Sequence, residues 1–110
     1  METPVTKELH LRMAAYCLSN LEHFLDHNKA KDYHDEFDAL EFPLFVTYYI
    51  GDAKMLRGCI GTFKPDKLGK TLQSYSIIAA LKDSRFPPIQ KKELPILHCE
   101  VSLLSNFEQI

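Results

Sequence analysis

The sequence predicts an α+β fold, with helices packed on a mainly antiparallel sheet. Three observations carry that reading. Two stretches repeat apolar residues every three or four positions. Three others are short and rich in β-branched and aromatic residues. Their order along the chain is helix, hairpin, helix, strand. At 110 residues, the length is that of one domain.

The first helix is expected over 4–27. Thr3 is placed to cap it, and Pro4 suits the first helical position. Leu9, Met13, Tyr16, Cys17, Leu21 and Phe24 form one apolar stripe, widened by Leu11, Leu18 and Leu25. Cys17 lies inside that stripe and reads as a small core residue. Residues 29–41 are polar and read as a loop with a short helical turn. The cluster His34, Asp35, Glu36 and Asp38 matches no metal-ligand spacing and reads as a solvated loop.

Pro43 opens a strand over Leu44–Ile50, Gly51-Asp52-Ala53-Lys54 is turn chemistry, and a second strand follows over Met55–Phe63. Strict alternation would place Met55, Arg57, Cys59, Gly61 and Phe63 on one face. Pro65-Asp66 is expected to begin the second helix, whose stripe is Leu68, Leu72, Tyr75, Ile78 and Ala79. It must stop near Lys82 or Asp83, because Phe86-Pro87-Pro88 forces extended backbone. Gln90–Leu94 suggests one helical turn, and Ile96–Leu104 a third strand with Leu97, Cys99, Val101 and Leu103 on its apolar face.

Composition narrows the function classes. The formal charge is −2, with 45% apolar and 25% charged residues, the balance of a folded globular chain. No apolar run approaches the roughly 20 residues of a membrane-spanning helix. No basic region followed by an apolar stretch marks a secretory signal, so the expected location is the cytoplasm or nucleus. Three cysteines, Cys17, Cys59 and Cys99, form no C-x-x-C pair. No metal site and no cofactor is therefore expected. The near-neutral charge ranks nucleic acid last among partners, although Lys64, Lys67, Lys70 and Lys82 share one stretch.

Candidate chemistry concentrates in three places. On the second strand, Arg57 and Cys59 are two residues apart, roughly 6.5–7 Å if they share a face, and a guanidinium near a thiol favours the thiolate. Gly58 and Gly61 flank that cysteine; they serve either close approach of a ligand or a bulge against which the helix over 68–82 packs. If the third strand lies beside the second, His98 and Glu100 join Cys59 as base and orienter, the logic of acyl transfer. The alternative is an inert Cys59 and an exposed His98. In Asp83-Ser84-Arg85-Phe86-Pro87-Pro88, a rigid turn carries an acid and a guanidinium, either as a binding element or as a helix terminator.

Leu56-Arg57-Gly58-Cys59-Ile60-Gly61-Thr62 resembles the signature motif of the AMMECR domain family. Ala80–Pro88 is similar to its second motif, Glu100–Leu104 to its third, and Phe42–Thr47 to its first strand, in the same order and spacing. The resemblance implies an α+β domain of two subdomains with a cleft between them. Arg57, Gly58, Cys59, Gly61, Asp83, Arg85 and Glu100 would gather around that shared site. It implies no settled activity. The family domain continues beyond the third motif, so residues 1–110 are expected to be one partial AMMECR domain, the larger part of the fold, with a sheet edge open to dimerisation. The function expected is an intracellular binding or regulatory module with a motif-lined cleft for a protein partner or a small anionic ligand. The alternative is an enzyme or small-molecule-binding domain with Cys59 as nucleophile and Arg57 and Arg85 binding an anionic group.

Overall fold

The computed structural model describes residues 5–105 and the backbone of 108–109. Two helices, α1 (Lys7–His27) and α2 (Leu68–Leu81), lie on one face of an antiparallel sheet. Its strands are β1 (Glu41–Ile50), β2 (Met55–Lys67), β3 (Leu97–Ser105) and β4 (Glu108–Gln109), in the order β2-β1-β3-β4. Short 3-10 turns occupy Asp35–Ala39 and Lys91–Ile96.

The elements fall where the patterns put them, with shifts at their ends. Helix α1 begins at Lys7, where the Thr6 hydroxyl accepts the Leu9 N–H at 3.1 Å. The expected cap at Thr3 and Pro4 lies outside the described residues. At the other end Asn28 takes the left-handed conformation and closes the helix onto Phe24. The second helix does not start at Pro65-Asp66. Backbone there remains in β2, which pairs Asp66 with Phe42 and Lys67 with Glu41, so α2 begins at Leu68. The short strand β4 follows β3 and pairs with its end, Ser105 opposite Glu108.

Alternation in β1 sends Leu44, Val46 and Tyr48 into the layer beneath the helices, each fully buried. They meet Met13, Cys17 and Leu21 of α1 and Leu68 and Leu72 of α2 in the core. Burial of each large apolar side chain contributes about 1.5–3 kcal/mol. Polar groups inside this layer are paired. Buried Asn20 donates to the Gln73 carbonyl (3.1 Å) and Ser76 hydroxyl (2.8 Å) and accepts from Lys31 N–H, joining α1, α2 and the following loop. The Tyr48 hydroxyl donates to the Ser76 carbonyl at 2.7 Å, fixing β1 against α2.

The acidic loop cluster works in the same structural way. Asp38 accepts from the Tyr33 hydroxyl and from Gly69 N–H, the second residue of α2, while Glu36 pairs with Arg12. Cys17 is sealed in the core as expected, and burial pushes its thiol up.

Candidate functional site at the edge of the motif strand

Among the described residues β2 is the last strand of its sheet, so one row of its backbone groups has no neighbouring strand there. At Cys59 that row is filled by side chains. The Asp83 carboxylate accepts the Cys59 N–H at 3.0 Å, and Arg85 donates to the Cys59 carbonyl at 3.2 Å. Arg85 also donates through Nε and Nη2 to both carboxylate oxygens of Asp83, at 3.0 and 2.8 Å. Two side chains thus stand where a paired strand residue would be. The buried Asp83 carboxyl is held well below the usual carboxylate range, first by the Arg85 guanidinium and next by the Cys59 amide. The proline turn sets this up: Phe86 N–H returns to the Asp83 carbonyl, and Ile89 N–H to the Ala80 carbonyl at the end of α2.

Arg57 does something different from what alternation predicts. Tyr48 pairs with Gly58 but Tyr49 pairs with Leu56, so Arg57 is an extra residue in a β-bulge. Its guanidinium reaches Glu93 at 2.8 and 3.1 Å and the carbonyls of Pro87 and Pro88 at 2.7 and 3.3 Å. Cys59 instead stands opposite Thr47, its Sγ 3.2 Å from the Thr47 hydroxyl, on the face away from the helices. Arg57 and Cys59 therefore do not form the expected pair. The Arg57 side chain is 12% exposed and pins the 87–93 segment to the strand. Partial burial pushes the Glu93 carboxyl up, but the Arg57 guanidinium and the Gln90 amide outweigh it and leave it lowered.

The two motif glycines both face protein. A Cβ on Gly58 would collide with the Ala79 carbonyl of α2, and one on Gly61 with Leu44 and Phe45 of β1. Packing accounts for each. Gly58 lets α2 approach β2; Gly61 lets the Phe45 ring cross the strand and meet Phe63, 5.3 Å away edge to face.

The expected Cys59–His98–Glu100 cluster depends on β3 lying beside β2, and this arrangement does not occur. Strand β1 lies between them. Glu100 pairs with Thr47 in the row of Cys59, two strands away, roughly 10 Å. His98 belongs to the row of Tyr49, and its Nε2 is 3.2 Å from the Gly51 carbonyl in the hairpin turn. Both are exposed. Among the described residues no three metal-ligating side chains converge, and no helix is long and apolar enough to cross a membrane.

Glu93 was not singled out from the sequence, yet it completes the site. The available signal is the spacing Gln90-x-x-Glu93 ahead of a helical turn, which lets the carboxylate reach back to Gln90 N–H, here at 2.6 Å.

Comparison with known proteins agrees with this architecture. The chain is 42% identical over 100 residues to the uncharacterised protein At2g38710 of Arabidopsis thaliana, covering 87% of this chain and 45% of that one. It is 40% identical over 98 residues to the uncharacterised protein C688.03c of Schizosaccharomyces pombe, covering 86% and 51%. The crystal structure of the uncharacterised protein PH0010 from Pyrococcus horikoshii superposes with a TM-score of 0.83 at 27% identity, over 92% of this chain and 53% of that one. The chain thus spans about half the length of these relatives. The AMMECR1 family model matches residues 14–110, and with that match the chain belongs to the AMMECR1 family.

Proposed function

We propose that this domain is an intracellular binding and regulatory module, in the cytoplasm or nucleus, whose recognition surface is formed by the motif residues at the outer edge of β2. One observation carries the reading. The motif charges are engaged with backbone: Asp83 and Arg85 hold Cys59, and Arg57 with Glu93 holds the proline turn. Groups tied down in this way make a rigid surface, with little ordering entropy left to lose on binding. They are poorly placed for proton transfer, which needs a titratable group within hydrogen-bond reach of the reacting atom. Arg85 keeps 58% of its side chain exposed and is the charge on this surface that a partner or a small anion would meet.

The test is affinity capture with the wild-type chain, Arg85→Ala and Cys59→Ser, each first shown to be folded. The expected result is loss of specific partners with Arg85→Ala and their retention with Cys59→Ser. Equal loss from both variants overturns it. The enzyme alternative is tested separately, by alkylation of Cys59 across pH. A thiol in the folded chain reacting faster than a free cysteine at neutral pH would favour the nucleophile.

A further inference from the structure

The clasp on Cys59 closes one point of the β2 edge and leaves the next stretch bare. Since Cys59 turns its N–H and C=O outward, strand alternation turns those of Gly61 outward as well, and the Phe63 N–H, opposite the inward Thr62 carbonyl, ends the row before the ladder shifts register. Among the described residues no strand lies beyond them. The flanks are built for a partner. Phe63 is 69% exposed and borders a groove of about 400 Å³ lined with Phe42, Pro43, Pro65 and Leu104, with Glu41 and Ser105 at its polar margin. The charge nearby is mainly positive: Lys64, Lys67 and Lys82 are exposed, and the Arg85 guanidinium, paired with Asp83, stands at the closed end, while Glu41 lies opposite Lys67 in the ladder. The nearby carboxylate Asp66 is already engaged by Lys67 N–H and Lys70.

We propose that the β2 edge from Gly61 to Phe63, closed at one end by the Asp83–Arg85 clasp, receives an extended acidic peptide segment as an added strand. This rests on the binding-module reading and names its partner class. The backbone row selects the peptide. It alternates donors and acceptors at strand spacing, which another strand matches in full and a phosphodiester chain, having no donor, does not. Alternate side chains of the guest would enter the groove beside Phe63, and its carboxylates would face the lysines and Arg85.

The experiment uses the full chain, amide NMR and a synthetic peptide of alternating glutamate and valine, with a lysine–valine peptide as control. The expected result is a shift and exchange protection of the Gly61 and Phe63 amides by the glutamate peptide, weakening as salt rises. Lys64→Glu with Lys67→Glu should reduce affinity severalfold without unfolding the chain. Phe63→Pro, which removes one outward N–H, should abolish the protection. Shifts confined to the face of Thr47, Tyr49 and Glu100 overturn the edge site but leave the module reading standing. That reading fails separately, if Arg85→Ala retains every partner. Absence of binding, or equal binding of the lysine peptide, overturns the proposal. So does a single-stranded oligonucleotide that binds as well as the peptide while the Gly61 amide stays unmoved.

Discussion

Two regions around Cys59 received similar ingredients and came out differently. At the edge of β2 an arginine, an aspartate and a backbone amide meet within hydrogen-bond distance. On the outer sheet face a cysteine, a histidine and a glutamate lie on β2 and β3 with β1 between them. The difference teaches what makes a polar cluster. The edge groups come from one turn, and the turn closes onto the strand through local bonds. The face groups depend on which strands are neighbours, and here the hairpin partner β1 separates them.

The comparison can be broken most forcefully at Arg57. Arg57→Ala leaves two proline carbonyls without this donor and the Glu93 carboxylate with only the Gln90 N–H, and should lower unfolding free energy in urea by about 2–3 kcal/mol. Gly58→Ala forces α2 away from the sheet and should be destabilising by about 1–3 kcal/mol in the same assay.

Acid sharpens the contrast. The Asp83 carboxyl is depressed in the fold, so its contribution is complete above the value of an unfolded aspartate, near 4, and is lost as pH falls below it. The stability difference between wild type and Asp83→Asn should therefore shrink between about pH 5 and pH 2. A difference that stays constant through that range would mean the clasp does not need the charge. At the other region little should change. Cys59→Ser and His98→Ala should each shift stability by about 0.5 kcal/mol or less. A large loss from either would show that the outer face is coupled to the fold after all.

Much of the fold was legible because burial follows period. The stripe through Met13, Cys17 and Leu21 and the alternation through Leu44, Val46 and Tyr48 both point into the observed core. The start of α2 was misplaced because proline opens helices readily, and nothing local showed that Phe42 would hold Asp66 in a strand ladder. The residues of the edge clasp were visible as charged positions on either side of a rigid turn, but their bonding to Cys59 was not, since it spans 24 positions of sequence. Arg57 shows the sharper limit. Alternation assumes an unbroken ladder; the strand glycines allowed a bulge, but which residue it would take out of step depends on the register with the opposite strand.

That bulge works as a phase slip in an otherwise regular wave. One inserted residue lets a seven-residue stretch grip the proline turn on one side and keep its sulfur on the other. Removing a single position there would bring the wave back into step and tear the two attachments apart, so the length of this segment should tolerate change far less than the identity of several residues within it.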